Sequence, residues 1–398
     1  MLRLLSLLLF GIFDFSGLLT NDANASIEKL CRYNKAELKS LFSERFLNKV
    51  PLAAITGPLD EAFKTHGPCQ KVTKLDNNNY DMLLKEAILP LRIYYDGNNL
   101  IHGFWMGNPK LLSDSFHTIF EELKSLPGKK SVYVKNFTKK FEQGFNETEL
   151  LPIGSAFKLY VLKALETRIA DKKGRWEDLM SLEEKDKSLP SGKLHKWIVG
   201  SKLTIDTLSS LMISESDNTA TDMLIRFLGK NEIEKIYLHQ RPFLNTQEWF
   251  ALSHRDHQTL LLDYVKMNEK QKRKAIKNLD LRKLENSEDI LFSPISLNIA
   301  WNSSNKELCE LIYGLKNNRH LKINPGLAKP TDWDSVLHKG GSTPISFQLT
   351  HLVRQKKSKQ WLCISSTIFN DDPNTKELLS EEKFYELNQR ILDHLKDN

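Results

Sequence analysis

"LPIGSAFKLYVLKAL", residues 151–165, decides the fold of this chain. It opens an apolar helix with Ser155 and sets Lys158 one turn later, on a face otherwise occupied by Leu159, Tyr160, Val161, Leu162, Ala164 and Leu165. Residues at i and i+3 share a helix face, so the hydroxyl and the amine are neighbours. A lysine in apolar surroundings is costly unless it is paired or gives up its proton. A serine at a helix start sits among backbone N–H groups that lack intrahelical partners and can hold an oxyanion. Hydroxyl, depressed amine and free N–H groups together are the parts of an acylating nucleophile. An N-cap serine with a snorkelling lysine is the plainer reading of the pair taken alone.

Two further stretches give the pair company. Ser216-Asp217-Asn218 lies between TIDTLSSLMI and ATDMLIRFL, both helical in pattern, so it occupies a loop. Its serine can relay a proton and its asparagine can hold a substrate carbonyl, although the same residues also favour helix starts. Lys339-Gly340-Gly341-Ser342 opens a strand, placing a cation beside backbone that a ligand can approach. A hairpin turn with an exposed lysine is the alternative there. The order Ser-x-x-Lys, Ser-Asp-Asn, Lys-Gly, with the flanks PIGSAFKLYVL, SDNTATDML and HKGG, resembles the active-site set of class A β-lactamases and penicillin-binding proteins over roughly residues 112–398.

That resemblance implies an α+β fold, an αβα sandwich with an all-helical lobe, and a serine hydrolase. It implies Ser155 as nucleophile, Lys158 as its proton acceptor, Ser216 as proton relay and Lys339 as the charge that tunes it. Asn218, Gly341, Ser342 and Thr343 would bind substrate, with the N–H groups of Ser155 and Ser342 as oxyanion hole. No cofactor and no metal are implied. Two departures stand out. Gly340 occupies the place of a threonine or serine, leaving Ser342 or Thr343 to compensate. No Glu-x-x-Leu-Asn segment follows, Glu248 being the nearest acidic candidate, so the expectation is acylation with slow deacylation. β-Lactam hydrolysis, ester hydrolysis and D-alanyl peptide cleavage share this chemistry, and a protein that binds cell-wall peptide without turnover is the reading from another class.

Outside that region the chain divides further. Met1-Leu2-Arg3, the apolar run 4–13 and Ala23-Asn24-Ala25 read as a signal peptide cleaved after Ala25, which predicts export to a periplasm or beyond. Residues 26–110 read as a small α+β domain. A helical stripe over 27–48 (Ile27, Leu30, Leu38, Leu41, Phe42, Phe46) precedes four strands between Cys69 and Met106, with turns at Asp76 and Asp96. This part, with RPFLNTQEWFAL and IAWNSSNKELCELIYGL further on, resembles two-domain β-lactamase-like proteins whose first domain is NTF2-like. Residues 111–398 form the hydrolase domain. A helix over 114–125, an early strand at SVYVKNF, three late strands and a final helix over 380–395 predict one sheet with helices between.

Composition excludes some partners. The net charge of +7 comes from 57 basic and 50 acidic residues that are scattered or locally offset, which is no nucleic-acid footprint. The densest basic run, EKQKRKAIKN at 269–278, reads as a solvated helix face. His254 and His257 lack a third ligand and read as surface or capping residues. Of the four cysteines, Cys31 and Cys69 are placed to pair in an oxidising compartment, while Cys309 and Cys363 read as small core residues.

Overall fold

Where the strand and helix patterns fall, the computed structural model places elements that the chain's own side chains account for. It describes residues 27–32, 35–107, 109–189, 191–281, 287–293, 295–370 and 380–397. The expected signal peptide lies outside them. The chain divides into two compact units, residues 1–115 and 116–398.

In the first unit, helix α1 (Leu52–His66) buries Ile55, Leu59 and Ala62, the i, i+4, i+7 stripe of an amphipathic helix. An antiparallel meander follows, β1 (Cys69–Lys74), β2 (Asn79–Leu84), β3 (Ala87–Tyr95) and β4 (Ile101–Met106). Asp76 accepts the N–H groups of Asn78 and Asn79, and Asp96 those of Asn98 and Leu100, so each expected turn is held by its aspartate. The continuous helical stripe expected over 27–48 is corrected. Residues 27–32, Lys35–Leu38 and Glu44–Leu47 are short helices, and Phe42 is extended, bridging Ile101. Ser43 donates its N–H to the Ile101 carbonyl and caps the next turn through Phe46 N, so sheet pairing overrides the helical period. The stripe residues Ile27, Leu30, Leu38, Leu41 and Phe42 are nevertheless buried. Cys31 and Cys69 are disulfide-bonded.

The second unit is built on one antiparallel sheet. Its strands are β5 (Lys129–Asn136), β6 (Phe141–Phe145), β7 (Ser335–Thr343), β8 (Ser346–Arg354) and β9 (Trp361–Phe369), in the order β7-β8-β9-β5-β6. Strand β6 extends the single early strand expected. Residues alternate between two cores. On one face Val132, Val134, Leu349, Val353 and Ile364 pack with helices α2 (Phe116–Ser125) and α8 (Glu381–Asp397). On the other, Tyr133, Leu337, Leu352 and Cys363 meet the helical lobe. That lobe contains α3 (Lys158–Ala170), α4 (Ile205–Ser214), α5 (Asn218–Leu228), α6 (Thr246–Ser253) and α7 (Asn305–Gly314). Helix, sheet and helix form the layers.

Cys309 on α7 and Cys363 on β9 form a second disulfide, which corrects their reading as unpaired core residues. Their apolar surroundings were right, since both are fully buried, but packing brings the two Cα atoms to 5.7 Å. Cys309→Ser/Cys363→Ser is expected to lower stability by about 2–4 kcal/mol, measured by urea unfolding without reductant.

Candidate active site

Gly154 bends the chain at φ +46°, and residues Gly154–Phe157 form a 3₁₀ turn that leads into α3 at Lys158. Side chains at i and i+3 eclipse in a 3₁₀ turn, so Ser155 and Lys158 align more closely than on an α-helix. Lys158 Nζ lies 3.2 Å from Ser155 Oγ. The second motif reaches the same amine: Lys158 Nζ is 2.8 Å from Asn218 Oδ1, 3.1 Å from Ser216 Oγ, and bonded to the Ser216 carbonyl. The third motif completes the set, with Lys339 Nζ 3.0 Å from Ser216 Oγ and 2.6 Å from the Gly340 carbonyl. Ser216 Oγ thus stands between the two lysine amines.

Charge and burial decide the protonation states. Lys158 is fully buried and Lys339 nearly so. Among the described residues no carboxylate makes an ion pair with either. Burial first, and the neighbouring Lys339 second, hold the Lys158 amine well below the usual lysine range, partly offset by Asp217 and Asp222. Burial also brings Lys339 down to about 7. A neutral amine has two N–H bonds and one lone pair. The Asn218 Oδ1 and the Ser216 carbonyl can only accept, so in a neutral amine they would take the two N–H bonds, leaving the lone pair to the two hydroxyls within reach, Ser216 Oγ at 3.1 Å and Ser155 Oγ at 3.2 Å. The Lys158 amine thus lies within hydrogen-bond distance of both motif hydroxyls, Ser155 and Ser216.

Strained backbone holds the Ser216 loop. Ser216 has φ +56°, in the left-handed region that a non-glycine residue occupies at a cost. Asp217 is fully buried and over-determines it, accepting the N–H groups of Lys193 at 2.6 Å, Leu194 at 2.9 Å and Ala220 at 2.8 Å. Ser191 Oγ donates to the Ser216 carbonyl at 2.6 Å. The sequence reading missed Asp217 as a clamp. Gly192 is its counterpart, since a side chain there would begin 2.2 Å from the Asp217 carboxylate. Asp222, one turn on from Asn218, accepts Thr246 N at 2.8 Å and Gln247 N at 3.0 Å, tying α5 to the start of α6. Burial pushes its carboxyl up to about 7.

Strand β7 passes against the nucleophile turn at backbone distance. A Cβ on Gly341 would stand 2.1 Å from the Ile153 carbonyl and 2.5 Å from Ser155 N, so only glycine fits. A Cβ on Gly154 would reach Ser342 N at 3.0 Å. The backbone nitrogens of Ser155 and Ser342 therefore both lie at the contact between β7 and this turn. Gly340 also has a structural reason, since a Cβ there would meet the Gln348 carbonyl at 2.9 Å.

The cleft has a volume of about 670 Å³. Ser155, Ser216, Asn218, Lys339, Gly341, Ser342 and Thr343 line it together, and Lys158 lies just beneath. The hydroxyl of Thr343 is engaged, sharing a hydrogen bond with Ser346 Oγ and accepting Ile345 N, so it closes the β7–β8 hairpin. Both ends of the Asn218 amide are engaged too, one by Lys158 and the other by the Leu189 carbonyl. The opposite wall is aromatic, with Phe157 stacked on Trp301 at 4.0 Å and Trp301 on Trp249 at 5.8 Å. Nothing in the sequence marked that wall, because Phe157, Trp249 and Trp301 come from three separate stretches that only the fold brings together.

Glu248 does not line the cleft. Its carboxylate is ion-paired with Lys230 and accepts Asn245 N–H at 2.9 Å, capping α6. Glu215, the carboxylate lining the cleft among the described residues, is paired with Lys193. Among the described residues no group of three or more His, Cys, Asp or Glu is placed to hold a metal. His257 Nδ1 lies 2.7 Å from the Ala251 carbonyl at the end of α6, and His254 Nδ1 accepts the Asp256 N–H, capping the turn that follows.

Residues 112–276 match the model of the Beta-lactamase enzyme family. Among solved structures, a β-lactamase from Francisella tularensis aligns with TM-score 0.51 and 17% identity, over 71% of this chain and 98% of that one. The structure of PBP-A aligns with TM-score 0.48 and 15% identity, over 71% and 96% of the two chains. The TLA-3 extended-spectrum β-lactamase aligns with TM-score 0.46 and 14% identity, over 70% and 98%. No curated protein matches. The alignment to the Francisella enzyme shows that the fold is β-lactamase/transpeptidase-like.

Proposed function

From the premise that residues 112–276 carry a β-lactamase-family domain, we propose that the protein is an exported serine hydrolase of β-lactamase type, acylated at Ser155 and slow to release the acyl group. The observation that carries this reading is the fully buried Lys158 amine, 3.2 Å from Ser155 Oγ and 3.1 Å from Ser216 Oγ. Lys158 takes the hydroxyl proton as Oγ attacks the carbonyl carbon. The carbonyl oxygen gains charge against Ser155 N–H and Ser342 N–H. Collapse of the tetrahedral species breaks the bond to the leaving nitrogen or oxygen, which receives a proton from Ser216 Oγ. Lys158 re-protonates Ser216, and Lys339 holds that hydroxyl and stabilises its charge. Water then cleaves the ester, releasing the acid and restoring Ser155.

The placement of Glu248 supports slow release, since it lies outside the cleft and is ion-paired with Lys230. Glu248→Gln is accordingly expected to change the deacylation rate by less than about threefold, against a loss of about 10²–10⁴ were it the general base. Stopped-flow decay of the acylated protein reads this. Esters and acyl-D-alanyl peptides fit the same chemistry. Export is supported by the two disulfides, which persist in oxidising compartments, and by the leader pattern before Ser26. No helix among the described residues is long and apolar enough to cross a membrane.

Intact-mass spectrometry with a penicillin tests the proposal. A persistent adduct on Ser155, absent from Ser155→Ala, is expected, and hydrolysis rates on one β-lactam, one acyl-D-alanyl peptide and one short ester rank the substrates. Labelling that survives Ser155→Ala overturns it.

A further inference from the structure

We propose that the turn Trp197-Ile198-Val199-Gly200 is a hook that docks the second unit peripherally on an anionic lipid surface. Trp197 is 47% exposed, Ile198 83% and Val199 47%, three consecutive apolar side chains at the tip of one loop. Scattered exposed leucines are ordinary, but a contiguous apolar tip marks an interaction site. The backbone leaves the tip no freedom to fold inward. Trp197 N–H donates to the Leu194 carbonyl, and the N–H and hydroxyl of Ser201 both donate to the Ile198 carbonyl. Gly200, at φ +93°, reverses the chain and bonds back to the Leu182 carbonyl. These bonds fix the turn while its apolar side chains project, the geometry of an interfacial anchor.

The charge around the tip selects the surface. From Lys187 to Ile205 the chain has four lysines, one histidine and no acidic residue, and Glu183 and Glu184, next to the Leu182 that Gly200 bonds, are ion-paired with Arg226 and Lys185 and with Lys187. Lys193 is paired with Glu215, and Lys187 with Glu184. Lys196 and Lys202, on either side of the apolar tip, are exposed and make no ion pair among the described residues. A tryptophan and an isoleucine flanked by free lysines suit the boundary between acyl chains and anionic headgroups. The loop is also fastened beside the cleft, through Lys193 N and Leu194 N on Asp217 and through Ser191, which lines the cleft. Docking therefore holds the nucleophile near the bilayer surface, whatever its substrate.

The test is vesicle flotation with the mature chain from Ser26, so that the apolar run at residues 4–13 contributes nothing. On phosphatidylglycerol vesicles at low salt the parent is expected to float. Ile198→Asp is expected to reduce the bound fraction about tenfold. Lys196→Glu/Lys202→Glu should reduce it several-fold, and added salt should weaken it. Both variants should keep the parent's melting temperature and its labelling of Ser155, since the altered side chains touch no site residue. A parent that stays unbound, or an Ile198→Asp variant that floats equally well, overturns the proposal. Equal, salt-independent binding to phosphatidylcholine removes its anionic half. A parent dimer that Ile198→Asp dissolves, without vesicle binding, reassigns the tip to a second copy of the chain.

Discussion

Lys158→Met is expected to lower the rate of Ser155 acylation by about 10³–10⁴ while leaving the fold intact. Methionine fills nearly the same volume as the buried lysine stem and carries no proton acceptor of comparable strength. The Asn218 Oδ1 and the Ser216 carbonyl lose their N–H donors, so the Ser216 loop is loosened, but Asp217 still fixes it from the other side. Single-turnover labelling of parent and variant reads the rate, and far-ultraviolet circular dichroism checks the fold. A second readout separates the role of the amine from that of its volume. In the folded protein the Lys158 amine is neutral at pH values where the unfolded chain, near 10.5, still carries the proton. The unfolded state then binds more protons, so this group makes stability rise with pH up to 10.5, by about 1.4 kcal/mol per unit. The methionine variant should lose that part of the slope. Labelling at the parent's rate would remove Lys158 from the chemistry.

Gly341→Ala is expected to cost about 10²–10³ in acylation rate and about 1–3 kcal/mol in stability. The added methyl meets backbone, the Ile153 carbonyl and the N–H groups of Ser155 and Ala156, and none of these can rotate away as a side chain would. Strand β7 and the turn at Ser155 must separate, and with them the two N–H groups to which the proposed mechanism assigns the oxyanion. Gly340→Ala serves as the comparison, because its nearest obstacle, the Gln348 carbonyl, lies farther off at 2.9 Å. Titrated acylation rates and urea midpoints for the two variants check this. A Gly341→Ala protein that acylates at the parent's rate would mean that this strand takes no part in the oxyanion site.

Much of the second unit was legible in the sequence because its motifs are local in pattern. Ser155 and Lys158 are three residues apart, and Ser216 and Lys339 each sit in a short motif whose neighbours are unusual for a helix or strand. The late strands were legible from their apolar alternation and the glycine pair that β7 needs. What depended on distant partners was not. Phe42 left its helical stripe because Ile101 offered a bridge, and Cys309 met Cys363 only through the packing of α7 on β9. Asp217 read as an N-cap, which it is, toward Ala220. Its grip on Lys193 and Leu194 needed Gly192 to come within reach across the fold. Thr343 lines the cleft where a hydroxyl for substrate was expected, and its hydroxyl also bonds within the hairpin beside it.

The central claim is that a neutral amine on Lys158 takes the Ser155 proton. The pH dependence of Ser155 labelling by a fluorophosphonate, followed by mass spectrometry of the Ser155 peptide, tests it most directly. Since the deprotonated amine is the active form and burial lowers its pKa, the rate should rise with pH and reach its plateau well below 10.5. A rate still climbing at pH 10.5, or no adduct on Ser155 at any pH, would contradict the account.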